Sequence, residues 1–248
     1  MTKLSVNLNK VALLRNQRDI GYPSVLETAE TVLRAGAQGI TVHPRPDERH
    51  IRKSDIAHIA GFLKAWPDAE FNIEGFPNEE FIELVLAHEC HQVTLVPDAP
   101  DQRTSDHGWN IDAYEVFLSD AIAKIKDGGR RVSLFIDPDV KAPAKAKLVG
   151  ADRVELYTGP YAYDLSKLPD YIRTAEAAVN EGIGINAGHD LNLDNLSRFV
   201  SDVPECAEVS IGHAITADAL KFGWNGAVAA YLTAIEFGQK RAASRKSA

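Results

Sequence analysis

The chain has 248 residues, 45% of them hydrophobic, and carries 27 Lys and Arg against 35 Asp and Glu, for a formal net charge of −8. This length can bury a sizeable core in one large domain or two small ones. The negative charge argues against nucleic-acid and anionic-membrane binders, but it leaves room for a local basic pocket that takes a small anion.

The cysteines and the first residues indicate the cellular setting. Cys90 and Cys206 form no CxxC pair and no metal-binding spacing with histidine, so we interpret both as ordinary buried thiols. Residues 1–20 lack the continuous apolar core of a signal peptide, and no run approaches the ~20 apolar residues that span a bilayer. We therefore expect a cytoplasmic protein with no membrane partner.

Short strand-like runs alternate with helical patterns along the whole chain. The predicted strands are 4–8, 39–43, 70–74, 92–96, 131–136, 153–157, 184–186 and 208–211. Helical periodicity is found at 24–35, 79–88, 112–126, 142–149, 168–180, 193–199 and 217–240. A further helix is expected between strands two and three, capped by Ser54 and ending before Pro67.

Eight strand–helix units in 248 residues give 31 residues each, about the size of one βα repeat. The pattern therefore predicts a single (β/α)₈ TIM-barrel domain over 1–248. An open doubly wound sheet could hold as many units, but no Gly-x-Gly-x-x-Gly follows the first strand. The polar, basic tail at 241–248 is expected to fray.

The active site of such a barrel lies at the carboxyl ends of its strands. After the second strand, β-branched residues give way to His43, Arg45 and His50. Histidines can transfer protons near neutral pH, and arginines can hold a phosphate by paired hydrogen bonds. A solvated loop with accidental charges is the alternative interpretation. Other strand ends also carry residues that could bind a ligand or transfer protons. They are Asn7, Asn9, Lys10, Glu74, Glu155, His189, Gly212 and His213. Arg18 and Thr104 lie in the connections that follow strands one and four.

Glu74 and Glu155 interrupt apolar strand runs, so both are expected at the barrel interior or its mouth. A buried carboxylate is costly unless it is paired, and a structural ion pair with arginine could explain one of them. Two carboxylates beside several histidines instead indicate general acid/base chemistry.

Gly212 opens a helix after the last strand, a place where such barrels often bind phosphate. The long loop 97–109 could be a lid or a disordered insertion.

No HxH, HExxH or DxD cluster occurs, so no metal site is predicted. Two further interpretations remain open. The chain could be another phosphosugar barrel, such as an aldolase or isomerase, although a Schiff-base aldolase needs a buried strand lysine and none of the eight runs has one in its interior. It could also be a non-catalytic protein that binds phosphorylated metabolites.

Several motifs together resemble the pyridoxine 5′-phosphate synthase family, in order from the first strand to the last. They are Val6-Asn7-Leu8-Asn9, Leu14-Arg15-Asn16-Gln17-Arg18, the segment 39–50, Asn72-Ile73-Glu74, Leu95-Val96-Pro97, the segment 132–137, Glu155-Leu156-Tyr157-Thr158-Gly159, Asn186-Ala187-Gly188-His189 and Ile211-Gly212-His213. The resemblance implies a cytoplasmic, homo-octameric transferase of vitamin B6 biosynthesis that needs no metal or organic cofactor. Its small-molecule substrates would be 1-deoxy-D-xylulose 5-phosphate and 3-amino-2-oxopropyl phosphate, condensed to pyridoxine 5′-phosphate, phosphate and water.

The resemblance also implies roles for individual residues. His43 and Glu74 would accept protons, His189 would donate one, and Glu155 would stabilise a charged intermediate. The sugar phosphate would be bound by Asn9, Lys10, Arg45, His50 and Thr104. The aminoketone phosphate would be bound by Asn7, Arg18, Gly212 and His213, and the Asp190 backbone N–H could also bind phosphate. Two positions depart from the family pattern: Asn9-Lys10 replaces an Asp-His pair that many members carry, and Asp190 replaces a frequent glycine.

Overall fold

Eight parallel strands close into a barrel in sequence order, with β8 pairing back onto β1. The structure is a computed structural model that describes residues 1–100 and 102–246. The strands are β1 Lys3–Asn7, β2 Gly39–Val42, β3 Glu70–Gly75, β4 Gln92–Leu95, β5 Arg131–Ile136, β6 Arg153–Tyr157, β7 Gly184–Gly188 and β8 Cys206–Ile211. The (β/α)₈ architecture predicted from the sequence is confirmed.

Helices surround this barrel, and the described residues also include short 3₁₀ helices at Ile111–Tyr114 and Leu165–Lys167. The α-helices are α1 Asn9–Arg15, α2 Val25–Arg34, α3 Lys53–Leu63, α4 Glu79–Ala87, α5 Glu115–Asp127, α6 Ala142–Leu148, α7 Gly159–Tyr163, α8 Leu168–Glu181, α9 Leu196–Asp202 and α10 His213–Lys246. Within the described residues, no helix combines the length and hydropathy needed to cross a bilayer.

Three local predictions differ from the structure. Helices α1 and α7 are not predicted by the sequence patterns, because seven and five residues are too few to show a helical period. Ser54 does not cap α3, which begins at Lys53; instead the Asp55 carboxylate accepts the Arg52 backbone N–H at 2.8 Å.

The C-terminal segment also differs from its prediction. Helix α10 breaks at Gly223 and then continues to Lys246, so residues 241–246 are helical where fraying was expected. Ala242 is buried against the protein, and Arg245 forms an ion pair with Asp202. Residues 247–248 of the predicted frayed tail lie outside the described residues.

Each strand presents an apolar face to the helices and a polar face to the barrel interior. Successive residues of a strand point to opposite faces, as Val93 and Thr94 do in β4. The apolar residues form one continuous core between strands and helices. On the inner face, Thr94 of β4 lies 3.4 Å from Glu155 of β6, and Gln92 of β4 bonds Asn186 of β7. Contacts between non-adjacent strands show that these polar side chains meet in the middle of the barrel.

A buried ion pair joins α1 to the start of α3. Arg15 NH1 and NH2 donate to the two oxygens of Asp55 at 2.7 and 2.9 Å, and NH2 also donates to the His50 carbonyl at 3.1 Å. Asn16 Nδ2 donates to the same carbonyl at 2.8 Å. These bonds fix the loop between β2 and α3, which carries His43, Arg45 and His50.

Replacing Asp55 by Asn should lower the free energy of unfolding by about 3 kcal/mol, because it leaves the buried Arg15 guanidinium without its counter-charge. Urea denaturation of the variant against the wild type measures this. Asp68→Asn, at an exposed position, is the matched control and should change stability by less than about 0.5 kcal/mol. Equal midpoints for the two variants would show that the Arg15–Asp55 pair adds no stability.

Candidate active site

The carboxyl ends of the strands bring most of the predicted site residues to one rim of the barrel. Electrostatic interactions connect His43 with Arg45, His50 and His189. Glu74 interacts in the same way with Glu155. Side chains that are far apart in the sequence therefore share one site, as the positions of the strand ends predict.

His43 and Glu74 form the centre of this site. His43 Nδ1 lies 3.9 Å from Glu74 Oε2, and Asn7 Nδ2 donates to the same carboxylate oxygen at 3.4 Å. The His43 backbone N–H donates to Asn9 Oδ1 at 2.9 Å, while Asn7 Oδ1 accepts the Asn9 N–H. The two asparagines thus hold the imidazole and the carboxyl group next to each other.

Burial moves the pKa values of this pair in opposite directions. It lowers the pKa of His43 well below its usual value, with Arg45 and His50 acting in the same direction. It raises the pKa of Glu74 well above its usual value, and the negative charge of Glu155 adds to that rise. Both groups are therefore biased towards their uncharged forms in the free protein.

Glu155 lies deeper in the barrel and is 3% exposed. Burial raises the pKa of Glu155 to about 7, whereas His189 and the Thr94 hydroxyl oppose the rise. The carboxyl group lies directly against Gly188 of β7, where an added Cβ atom would overlap Glu155 Oε1. A glycine at the end of β7 thus makes room for the carboxylate.

Arg45 is buried and forms an ion pair with Asp98, and its NH1 donates to the Gln102 carbonyl at 2.9 Å. Arg49 NH1 donates to the same carbonyl at 3.1 Å, and Ser105 Oγ bonds Asp98 at 2.7 Å. Two arginines after β2 therefore hold loop 97–109, for which the sequence left both a lid and a disordered insertion open, against the rim. Asp101, within that loop, lies outside the described residues.

His50 and Lys10 supply further polar groups beside Arg45. His50 Nδ1 accepts the Ile51 N–H at 2.9 Å, so a hydrogen bond to a ligand would have to come from its other ring nitrogen, Nε2. Burial lowers the pKa of His50 to about 4, and Arg45 acts in the same direction. Burial also lowers the pKa of Lys10, helped by Arg103 and Arg45 and opposed by Asp190.

His189 and Asp190 follow β7 in the left-handed backbone region, with φ of 81° and 58°. The His189 ring packs edge-on against Phe135 and Tyr157, and its Nδ1 lies 3.9 Å from Asp190 Oδ2. Interaction with the His189 ring lowers the pKa of Asp190, aided by His213 and Lys10. Asp190 is therefore a carboxylate at neutral pH.

The remaining predicted residues lie further out. Gly212 packs against the Asn7 side chain, and His213 is the exposed first residue of α10. Thr104 is exposed on the loop after β4. Arg18 follows α1 and is also exposed; within residues 1–100 and 102–246, its side chain makes no hydrogen bond or ion pair with the other site residues.

The sequence patterns missed Asp98 as the partner of Arg45. The only available signal was its position directly after Pro97, close to the end of β4. In the part of the chain that the structure describes, no group of three or more His, Cys, Asp or Glu side chains is arranged to hold a metal ion.

Comparison with known proteins agrees with this geometry. The family model "Pyridoxal phosphate biosynthesis protein PdxJ" matches residues 4–237. The chain belongs to the PdxJ family. Proteins named pyridoxine 5′-phosphate synthase from Chelativorans sp. (strain BNC1) and Albidiferax ferrireducens are each 54% identical to it, over 94% and 96% of this chain and 98% and 99% of theirs. The resemblance inferred from the motifs is thus confirmed.

A solved structure of tryptophan synthase subunit alpha from Legionella pneumophila superposes with a TM-score of 0.62. It is 14% identical and covers 95% of this chain and 93% of that protein. Similarity at this level of identity shows the barrel fold alone. The family assignment therefore depends on the PdxJ match and the two sequence relatives.

In this PdxJ-family chain, Gly188→Ala should displace the Glu155 carboxylate, because the new methyl group takes the place of Oε1. We expect kcat/KM to fall at least about 100-fold with the fold retained. Gly61→Ala is the matched control: it lies inside α3 with open space around it, and should add about 0.5–1 kcal/mol of stability. Activity of the Gly188 variant within threefold of wild type would contradict this packing argument.

Proposed function

We propose that this chain catalyses the condensation of 1-deoxy-D-xylulose 5-phosphate with 3-amino-2-oxopropyl phosphate to give pyridoxine 5′-phosphate, phosphate and water, without a metal or organic cofactor. The observation that carries the proposal is the adjacency of His43 and Glu74, with Glu155 and His189 on the same rim. Ring closure between two phosphorylated ketones needs imine formation, enolisation, loss of phosphate and dehydration. Each of these steps moves a proton at nearly the same place.

His43 and Glu74 suit the role of proton acceptors. The lowered pKa of His43 keeps its imidazole neutral at physiological pH, so a ring nitrogen can take a proton from the substrate. Glu74 has a raised pKa, so its carboxylate is a stronger base than an exposed glutamate once it ionises. An ammonium or iminium group arriving next to the two glutamates would favour that ionisation.

His189 is proposed as the proton donor and Glu155 as the group that stabilises a positively charged intermediate. The left-handed backbone at His189 directs its ring onto Phe135 and Tyr157, and His189 interacts electrostatically with Glu155. A pKa of about 7 lets Glu155 be ionised in an appreciable fraction of molecules at neutral pH. In a buried site, that charge acts on a cation with little screening by water.

We place the sugar phosphate on the side of the rim formed by Arg45, His50, Lys10 and Asn9, with Thr104 from the loop. Arg45 offers three further N–H groups besides those that bond Asp98 and Gln102. A phosphate at this position must therefore share the guanidinium with Asp98 or displace it.

We place the aminoketone phosphate at Gly212 and His213, where the first turn of α10 presents backbone N–H groups. Asn7, against Gly212, and the Asp190 backbone complete this side. Arg18 would have to turn towards the rim from its exposed position to contribute charge. The two phosphate positions then flank His43 and Glu74.

We also propose that the chain assembles as a homo-octamer in the cytoplasm. Several large apolar side chains of the single chain are more than half exposed, and assembly would cover them. They include Ile20 at 64%, Tyr22 at 71%, Val116 at 75% and Leu220 at 81%. Light scattering of the purified protein tests the octamer.

The function is tested by mixing the protein with both substrates and following pyridoxine 5′-phosphate by mass spectrometry. Product formation supports the proposal. Tight binding of both phosphates without product would instead favour a metabolite-binding protein. Cleavage or isomerisation of the sugar phosphate alone would favour another phosphosugar enzyme.

Glu74→Gln should reduce kcat by at least about 1000-fold, because the amide cannot accept a proton. Binding of the sugar phosphate, measured by calorimetry, should stay within about tenfold of wild type, since the amide keeps the size of the carboxyl group. Glu89→Gln, which alters an exposed ion pair with Lys64 before the start of β4, is the control. Near-normal turnover in the Glu74 variant would remove Glu74 from the mechanism.

A further inference from the structure

A run of hydrogen-bonded side chains crosses the barrel interior from its amino-terminal end to Glu155. At the Glu155 end of this run, Thr94 Oγ1 lies 3.4 Å from Glu155 Oε2 and 3.0 Å from Asn72 Oδ1. Nearer the amino-terminal end of the barrel, Gln92 Nε2 lies 3.2 Å from Asn72 Oδ1 and 3.4 Å from Thr94 Oγ1. All four residues are at most 3% exposed, so their polar atoms depend on one another for partners.

Two arginines set the direction of these hydrogen bonds, because a guanidinium group donates and never accepts. Arg131 Nε donates to Gln92 Oε1 at 2.9 Å, and Arg153 NH1 donates to Asn186 Oδ1 at 2.8 Å. The amide nitrogen of Asn186 then donates to Gln92 Oε1 at 3.3 Å. Gln92 Oε1 therefore already accepts two hydrogen bonds, from Arg131 and Asn186. The Gln92 Nε2 must point the other way, towards Asn72.

This polarity leaves Thr94 with one proton and two possible acceptors. Asn72 Oδ1 already accepts from Gln92, and Gln92 Nε2 also faces the Thr94 oxygen. The hydroxyl can therefore donate either to Asn72 or to Glu155, but not to both. A carboxylate at Glu155 can only accept a hydrogen bond, whereas a carboxylic acid can donate one to the Thr94 oxygen.

The surroundings of Glu155 contain few other groups that could stabilise its charge. On its Oε1 side it meets Gly188, which has no side chain. Among the described residues, the ionisable groups that interact electrostatically with it from other strands are Glu74 of β3, His189 after β7, and Cys206 and Glu208 of β8. Two of these are carboxyl groups, which disfavour its ionisation, so His189 and the Thr94 hydroxyl are the groups that favour it.

We propose that Thr94 is a positioning residue whose hydroxyl donates to Glu155 when that carboxyl group is ionised and turns to Asn72 when it is protonated. The rotation keeps both side chains hydrogen-bonded in either state, which lowers the free energy needed to ionise a buried acid. The hydroxyl thereby orients the carboxylate oxygen that would stabilise the charged intermediate. This inference deepens the proposed function and rests on it only for the role of the charge.

The test is Thr94→Val, which keeps the shape of the side chain and removes the hydroxyl. The pKa of Glu155 should rise by about one unit from its value of about 7. It is followed without substrate by ¹³C NMR of glutamate δ-carboxyl groups, with the Glu155 signal assigned by its loss in Glu155→Gln. In the assay, kcat should fall about fivefold at pH 7 and approach wild type at pH 9, where Glu155 is ionised in both proteins.

Thr94→Ser, which restores the hydroxyl, should return both the titration and the pH profile to wild type. Thr41→Val is the matched control: Thr41 is equally buried and bonds Ser5 and Asn72, but no contact joins it to Glu155 among the described residues. It should leave both readouts unchanged.

The two readouts separate this inference from the proposed function. An upward shift of the Glu155 titration without any pyridoxine 5′-phosphate from the wild type would support the Thr94 contact and refute the reaction. An unchanged titration in Thr94→Val would overturn the inference, whatever the activity. A loss of kcat that is equal at pH 7 and pH 9 would also overturn it, because only a structural role gives a loss that does not depend on pH.

Discussion

The central constraint on this site is the burial of two carboxyl groups, Glu74 and Glu155, close to each other. Burial and mutual repulsion both disfavour a second negative charge, so the pair holds a proton under conditions where exposed glutamates hold none. Among the residues that the structure describes, no arginine bonds either carboxyl group directly. Arg131 and Arg153 lie instead at the amino-terminal end of the barrel and reach Glu155 only through uncharged amides and a hydroxyl. Such an arrangement leaves the carboxyl groups free to exchange protons, whereas a direct ion pair would hold them ionised.

The same reasoning applies to the cations around them. Arg45 lowers the pKa of Glu74 and Asp98 raises it, so the ion pair between the two reduces the net field that Arg45 exerts on Glu74. His43 and His50 are kept neutral by burial and by the adjacent arginines. The buried groups at the centre of the site thus carry few uncompensated charges, and a phosphorylated, nitrogen-containing substrate would bring most of the charge with it. Binding and proton transfer are coupled for this reason, because the substrate's charge decides which of the buried groups ionise.

The sequence allowed the barrel and the residues at its rim to be predicted, but not which inward-facing side chains contact one another. The strand ends were visible because apolar runs stop at polar residues, as at His43, and the interior carboxylates because they interrupt such runs, as at Glu155. The inward-facing pairs Gln92 and Thr94, or Arg153 and Glu155, also show the period of two. Which strands face each other across the interior depends on closure of the barrel, however, and no local pattern encodes the contact between Thr94 and Glu155. The Arg45–Asp98 pair depends in turn on the path of loop 97–109. Helix α1, too short for a periodic signal, carries the Arg15 and Asn16 contacts that fix the β2 loop.

The two departures from the family pattern, at Asn9-Lys10 and at Asp190, interact with each other in the structure, because Lys10 and Asp190 lie close enough to shift each other's pKa. Asp190 has a φ of 58°, a conformation that glycine adopts freely and that aspartate tolerates better than most residues. A carboxylate there would repel a phosphate if it stood alone. Lys10 interacts with it electrostatically, and each shifts the pKa of the other towards the charged form. Because the added positive and negative charges oppose each other, the field at the phosphate positions changes less than either substitution alone would cause. The pair can therefore be accommodated together where a single change would disturb the site.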